Sequence, residues 1–398
     1  MKTFRFAWLA VVGCSALAAL GQLQKEPVDF VSPNIGGIGQ LLTATIPYVQ
    51  RPHGMARLAP IVTPGITDRY LADKIYGFPA GPALLMASVG QTSTNAAVYA
   101  SDYDHDFETA TPYYYEADLQ TWGIRAEFTA TNQAAYYRLT FPASAHAHLV
   151  LTLKNHAELS VTGKSVIQGS ARADGTVVQL EQTGPETREY FYAEFSRPFT
   201  SWQTWQDGEM SHASKQTGDQ IGFISESPST AGETIEVKIG ISYISTEQAR
   251  RNLEQDIPGW KFDQVKAESR AAWNHALGAV QIVGGTERQR TIFYTALYRS
   301  LERMTDITED GKYFSGYDHQ VHDAEGHDFY VDDGIWDTYR SLHPLQMLLN
   351  AKQQEDMIRS YVRMYQQSGW MPSFPSAAGE QPVMIGHHAA SLILDAYT

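Results

Sequence analysis

Ile124-Arg125-Ala126-Glu127-Phe128-Thr129-Ala130 decides the fold of the first half of this chain. Apolar Ile124, Ala126, Phe128 and Ala130 alternate there with Arg125, Glu127, Thr129 and, one residue on, Thr131. Successive side chains of an extended backbone point to opposite faces, so this period of two predicts a strand with one buried and one wetted face. Similar segments recur on both sides, at residues 135–141, 148–153, 176–182, 189–196 and 234–243. Gly, Asn, Asp and Pro separate them, as in Pro142-Ala143-Ser144 and Ala173-Asp174-Gly175. Many antiparallel strands at this spacing predict a β-sandwich, and its bounds are residues 22–245.

After Ser245 the period becomes that of a helix. Thr246-Glu247-Gln248 opens a short helix, and Val265, Ser269, Ala272, Trp273, Ala276 and Leu277 line one face of the next. These two fill a linking region, residues 246–285. Thr286 with Gln289 then forms a capping-box pattern, behind which Ile292, Phe293, Ala296, Leu297, Leu301 and Met304 mark the apolar face of a longer helix. Further helices are expected at residues 335–350, 352–367 and 387–397, the second stopped by Gly369. Residues 286–398 therefore read as all-helical. Asp395-Ala396-Tyr397-Thr398 stops inside an amphipathic pattern without Gly, Pro or a basic last turn, so the expectation is a helical domain cut short.

At 398 residues the chain exceeds what one core usually organises, which agrees with two domains or more. Hydrophobic residues make up 43% and charged residues 19%, a balance that buries well and excludes a disordered chain. The formal net charge of −14, with no run of Lys or Arg, excludes a phosphate-neutralising surface and hence nucleic acid as a partner. Lys2 and Arg5 ahead of an uncharged stretch from Phe6 to Leu20 form an export signal over residues 1–21. That stretch, roughly 15 residues, is short of the roughly 20 needed to span a membrane. Two processing routes fit it. Ala19-Leu20-Gly21 resembles an ordinary cleavage site, giving a secreted or periplasmic protein. Val11-Val12-Gly13-Cys14 resembles a lipoprotein box, with a lipid on Cys14 as the one route to a membrane. Cys14 is the single cysteine, so no disulfide is available.

Candidate chemistry concentrates in two stretches. There is no G-x-S-x-G elbow, H-E-x-x-H helix or P-loop, and Asn34-Ile35-Gly36-Gly37-Ile38-Gly39 reads as a turn. His319, His322 and His327 share an acid-rich loop, but their spacing matches no tight metal-ligand set. The densest cluster is Tyr330-Val331-Asp332-Asp333-Gly334-Ile335-Trp336-Asp337-Thr338-Tyr339-Arg340-Ser341-Leu342-His343-Pro344. A ring, a carboxylate and a guanidinium at Trp336, Asp337 and Arg340 suit stacking and paired hydroxyl contacts in a monosaccharide site. An i,i+3 Asp337–Arg340 surface pair over a core tryptophan fits the same spacing. The second stretch is Ser368-Gly369-Trp370-Met371-Pro372-Ser373-Phe374-Pro375, where two prolines stiffen a loop presenting Trp370 and Phe374 either as a sugar platform or as core packing.

These stretches, together with others along the chain, resemble glycoside hydrolase family 92. Val31-Ser32-Pro33-Asn34-Ile35-Gly36 is similar to its V-N-P-x-I-G start, and Ala72-Asp73-Lys74-Ile75-Tyr76-Gly77-Phe78 to its A-D-K-I-x-G-F segment. Tyr113-Tyr114-Tyr115, Gly123 to Thr131, Tyr137 to Pro142, Gly284-Gly285-Thr286, Tyr294 to Ser300, Trp336 to Arg340 and Gly369-Trp370-Met371-Pro372 follow in family order. The resemblance implies an antiparallel β-sandwich packed on the first helices of an (α/α)6 barrel, and a secreted, Ca²⁺-dependent, inverting exo-α-mannosidase, often α-1,2-specific, acting on mannose-containing glycans. It implies that Trp336, Asp337, Arg340, Trp370 and His388 contact the sugar. It places the catalytic acid, the base and the Ca²⁺ ligands beyond Thr398, so that the carboxyl-terminal remainder of the barrel is an expected partner and residues 1–398 alone are expected to be inactive. Two departures stand out: Met384-Ile385-Gly386-His387-His388 carries His where the family usually has Asp, and Pro79-Ala80-Gly81-Pro82-Ala83 lacks the usual Trp and Asp. A non-catalytic glycan-binding protein and another (α/α)6 enzyme, such as a glucoamylase-like hydrolase or a disaccharide phosphorylase, are the competing readings.

Overall fold

In the computed structural model, which describes residues 25–37, 45–62, 71–173, 187–381 and 383–397, the alternating segment is the strand Ile124–Ala130. It belongs to one 15-stranded antiparallel sheet. The main path runs Ile61–Val62, Lys74–Ala80, Ala83–Val89, Ser144–Thr162, Val166–Arg172, Arg188–Phe195, Glu233–Ser242, Ala134–Phe141, Ile124–Ala130, Tyr114–Leu119 and Thr109–Thr111. The strand expected at residues 176–182 and the export signal with Cys14 lie outside the described residues.

The expected sandwich is made from one curled sheet, not from two separate ones. Strand Ser144–Thr162 joins the layers: Ala147 to Thr152 pair with Ala83–Val89, Glu158 to Thr162 pair with Val166–Arg172, and Lys215–Ser229 follows its other edge. Between the two stretches Asn155 and His156 take φ of 66° and 51°, opposite a register shift at Gly218 and Gln220. An extra residue on one strand bends it and adds twist, which turns the sheet back over itself. The inner surface buries Phe78, Tyr115, Phe128, Tyr137, Leu151 and Phe223 in one core.

The wetted face expected of Ile124–Ala130 is corrected: Arg125 is exposed, whereas Glu127 and Thr129 are buried. Helix Phe262–Leu277 packs across that face. Buried polar groups are tolerated when paired, and these are. Glu127 accepts from Arg138 at 2.6 and 2.8 Å and from Tyr114 at 2.8 Å, while the Thr129 hydroxyl donates to Tyr113 O at 2.7 Å. The preceding helix, Thr246–Asp256, is capped by the Ser245 side chain, which accepts from Gln248 N. It lies so close to strand Glu233–Ser242 that a Cβ at Gly240 would stand 2.1 Å from Ala249 O, so glycine is required there.

Glu309 ties this corner together. Its carboxylate accepts from Tyr243 N at 2.9 Å and from Asn252 Nδ2 at 2.7 Å, and Asn252 also donates to Ile241 O. Burial pushes the Glu309 carboxyl up to about 7. A carboxyl raised on folding binds its proton more tightly in the native state, so its contribution is full below the unfolded value, about 4.3, and is lost as pH rises through about 7. Glu309→Gln, a neutral isostere, should therefore flatten the fall of melting temperature between about pH 5 and 8, read by calorimetry. An unchanged pH profile would contradict this assignment.

In the helical part the capping box at Thr286 and Gln289 is formed, but helix Glu287–Ser300 buries Tyr294, Thr295, Leu297 and Tyr298, leaving the expected Ile292, Phe293 and Ala296 exposed. The tyrosines win because ring and hydroxyl are both satisfied. Tyr294 stacks on Phe30 and Tyr298 packs against Trp273 with the rings tilted by 57°, and their hydroxyls donate to Val280 O and Tyr48 O. The single helix expected over residues 335–350 is broken into Ile335–Thr338 and Leu342–Leu349. Pro344 has no N–H to return to Arg340 O, and it sits in the first turn of the second piece, where none is needed. Helices Ala351–Ser368 and His388–Tyr397 match expectation, with Gly369 at φ 80° ending the former.

The all-helical reading of residues 286–398 is also corrected. Three two-stranded antiparallel ladders interrupt it: Thr305–Asp306 with Tyr330–Val331, Lys312–Ser315 with Gln320–Asp323, and Pro375–Ser376 with Gly379–Glu380. Asp310 and Gly311, both at positive φ, turn the chain tightly between Glu309 and Lys312, a signal for a hairpin and not for a helix.

Candidate functional site

The segment from Asp332 to His343 is held from below and presents its polar groups above. Asp332, at φ 68°, pairs with Arg57 Nη1 at 2.8 Å and lies 3.5 Å from Arg303 Nε, which pins the segment to the loop before Leu58 and to the chain just after helix Glu287–Ser300. Arg57 itself lies over the Tyr48 ring, on the wall of a cavity of about 510 Å³ that Pro79, Gly81 and Tyr243 also line. Asp333, fully buried, accepts at one oxygen from Tyr361 OH at 2.6 Å, His343 Nε2 at 3.1 Å and Thr338 Oγ1 at 3.1 Å. His343 Nδ1 then accepts from Gln354 Nε2 at 2.9 Å, so the ring is fixed at both nitrogens. Gly334 touches the Phe374 ring so closely that a Cβ would stand 2.8 Å from it, and Ile335 N donates to Ser373 O.

Above this base the side chains face outward. Trp336 is 38% exposed, and Asp337 and Arg340 are exposed. The Arg340 guanidinium lies 5.6 Å from the centre of the Trp336 ring and 5.0 Å from that of Tyr339, and its Nε donates to Tyr339 OH at 2.8 Å. Tyr339 stacks on His388 at 4.2 Å and 13°. Trp336, Arg340, Tyr339 and His388 thus form one layered ridge beside Asp337. The i,i+3 Asp337–Arg340 pair is not made: Arg340 spends its charge on two aromatic faces. The Asp337 carboxylate takes no hydrogen bond or ion pair from any described residue, which leaves both oxygens open to a ligand.

Four of the five expected contact residues therefore converge. Trp370 does not join them. It is 80% exposed on the turn after helix Ala351–Ser368 and makes no ring contact among the described residues. Tyr339 was not singled out, although it stands in the quoted cluster; its role emerges from the fold, which brings His388 back onto it from 49 residues away in sequence. The three loop histidines go separate ways: His322 pairs with Asp318 and His327 with Asp356, while His319 sits in the turn between Lys312–Ser315 and Gln320–Asp323. Among the described residues no group of three His, Cys, Asp or Glu is placed to hold a metal ion. The departure at residues 79–83 folds as a tight hairpin with Gly81 at φ 54°.

Comparison with known proteins gives a consistent match. Residues 30–242 match the family model described as glycosyl hydrolase family 92 N-terminal domain, and residues 248–398 match that described as glycosyl hydrolase family 92 catalytic domain. An uncharacterized secreted glycosidase of Arthroderma benhamiae is 26% identical over 239 residues, 52% of this chain and 30% of that protein. Among solved structures, the family GH92 inverting mannosidase of Bacteroides thetaiotaomicron is similar with a TM-score of 0.86 and 27% identity, over 94% of this chain and 52% of that one. A family GH92 alpha-mannosidase of the same organism, in complex with mannoimidazole, gives 0.84 and 26%, over 92% of this chain and 52% of that one. The chain spans about half the length of these solved relatives.

Proposed function

Because this chain belongs to glycosyl hydrolase family 92, we propose that it serves an exo-acting α-mannosidase and holds the terminal mannose of a glycan on the ridge of Trp336, Asp337, Arg340 and His388. The observation that carries this is the open Asp337 carboxylate set beside a half-exposed Trp336 and an oriented guanidinium. A carboxylate accepts from two adjacent hydroxyls, and the face of an aromatic ring packs on the C–H face of the sugar. Arg340, already held by Tyr339, reaches the sugar or steadies Asp337. Similarity to an inverting mannosidase and to a mannosidase holding mannoimidazole supports this substrate class.

The finer reading is inverting cleavage with α-1,2 preference and a Ca²⁺ ion at the sugar. Inversion requires an acid and a base far enough apart to admit a water, roughly 6.5–9.5 Å. We assign neither among the described residues. The chemistry Ca²⁺ would supply is Lewis-acid charge stabilisation at sugar hydroxyls, but no donor set among the described residues fits it. The export reading of residues 1–21 gains support from the secreted glycosidase of Arthroderma benhamiae.

One preparation tests both parts. Protein from the native host, weighed intact, should begin at Gln22 or at lipidated Cys14; an unprocessed Met1 contradicts export. Given α-1,2-mannobiose with Ca²⁺, it should release mannose. Release of glucose from α-glucosides instead would support a glucoamylase-like or phosphorylase reading, and glycan binding without turnover would support a lectin-like one.

A further inference from the structure

The turn that carries Trp336 and Asp337 has no cap of its own. Helix Ile335–Thr338 is a single turn, and Gly334 before it offers no side chain to its open N–H groups. The loop Ser373–Pro375 supplies the missing partners. Ser373 O accepts from Ile335 N at 3.2 Å, Pro375 O accepts from Asp333 N at 3.0 Å, and the Phe374 ring lies against Gly334. A Cβ on Gly334 would stand 2.8 Å from that ring and 3.1 Å from Asp337 Oδ2, so only glycine lets ring, backbone and carboxylate stack this closely. One exposed side chain holds the loop in turn. Glu380, in the ladder Pro375–Ser376 with Gly379–Glu380, reaches back across it. Its Oε1 accepts from Ser373 N and Phe374 N, each at 2.9 Å, and from Ser373 Oγ, while Oε2 accepts from Tyr317 OH at 3.0 Å.

We propose that Glu380 is a positioning residue for the sugar ridge, setting the turn of Trp336 and Asp337 through the Ser373–Phe374 peptide. Phe374 N–H and Ser373 C=O belong to one planar peptide unit and point in opposite directions. Glu380 takes the N–H end and Ile335 N donates to the C=O end, so the carboxylate fixes the plane on which the start of the helix hangs. A charged acceptor forms stronger hydrogen bonds than a neutral one, and bonds in series polarise each other. Both Glu380 oxygens are already engaged, one of them three times over, so the residue acts through the loop and not on the sugar itself. The proposal rests on the reading of the ridge as the mannose surface. A clamp with a structural role alone would steady residues 373–381 and leave sugar affinity as it is.

Amide hydrogen exchange followed by mass spectrometry reads the turn without any ligand. Peptides covering residues 333–339 should exchange at least tenfold faster in Glu380→Ala and close to the unaltered rate in Glu380→Gln, whose amide oxygen still accepts from the two backbone N–H groups. Helix Ala351–Ser368 should exchange as before in both, which separates a loosened turn from a lost fold. Affinity for mannoimidazole, measured by calorimetric titration, should follow the same order, at least tenfold weaker in Glu380→Ala and restored in Glu380→Gln. Unaltered exchange of residues 333–339 in Glu380→Ala overturns the proposal, whatever the ridge binds. Faster exchange with undiminished affinity overturns it as well, leaving Glu380 a loop clamp alone. If the unaltered protein does not bind mannoimidazole, the mannose reading fails, while faster exchange in Glu380→Ala still supports Glu380 as the residue that sets the turn.

Discussion

Asp337→Ala is expected to lower kcat/KM for α-mannoside cleavage at least tenfold while leaving the melting temperature unchanged. The carboxylate takes no hydrogen bond or ion pair from any described residue, so folding loses little when it is removed, and exposed substitutions of this kind usually change stability by less than about 0.5 kcal/mol. Bound sugar hydroxyls lose their charged acceptor, worth roughly 1.5–3 kcal/mol, and each 1.4 kcal/mol is about tenfold in rate. Had the side chain formed a surface pair with Arg340, the pattern would be reversed, with a small stability change and no kinetic one. An unaltered kcat/KM beside a matched melting curve would therefore remove Asp337 from the binding surface. Arg340→Ala should show a weaker loss, because its guanidinium also packs the Trp336 and Tyr339 rings in place.

The largest stability loss is expected one helical turn away, at Asp333. Removing its carboxylate takes the charged acceptor from Tyr361 OH, His343 Nε2 and Thr338 Oγ1, leaving Tyr361 OH the Met304 sulfur at 3.1 Å and the His343 ring at 3.3 Å, and Thr338 Oγ1 its bond to Gly334 O. These remaining partners are weaker than a buried carboxylate, and breaking the Asp333–His343 pair leaves the ring without its anion, so Asp333→Ala should lose on the order of the 3–5 kcal/mol seen when a buried pair is broken. Urea unfolding should show a lower midpoint with an unchanged slope. Asp333→Asn keeps one acceptor and should fall between the two. A loss below about 1 kcal/mol in Asp333→Ala would mean that the hub does not hold the segment under the ridge.

How far the fold could be read from sequence depends on which contacts set each feature. Strand and helix periods are local, so Ile124–Ala130, Glu233–Ser242 and Ala351–Ser368 were legible. Which face is buried is not local. Glu127 and Thr129 looked solvent-facing until helix Phe262–Leu277 covered them, and Ile292 and Phe293 looked buried although the residues 27–30 and Trp273 select the tyrosine face instead. The break at Arg340 carried its own sign in Pro344, and the Asp310-Gly311 turn was an available hairpin signal.

The site divides the same way. Trp336, Asp337 and Arg340 fall within one turn, so spacing alone brought them together. His388 reaches the ridge through Tyr339, a contact that depends on helix His388–Tyr397 packing beside Ile335–Thr338. Trp370 was chosen for its prolines, yet those prolines serve a loop that seats Phe374 under Gly334 and leaves the tryptophan outside. The buried hub of Asp333, His343, Gln354 and Tyr361 gave no linear pattern, because its members come from two helices and the turn before them.

The most direct measurement is a calorimetric titration of the protein carrying this sequence with mannoimidazole, beside the same titration of Asp337→Ala. If the ridge of Trp336, Asp337, Arg340 and His388 holds a terminal mannose, the unaltered protein binds, the variant binds at least tenfold more weakly, and their melting curves superimpose. Equal binding by the two proteins, or equal binding of a glucose-configured imidazole by the unaltered one, would contradict it.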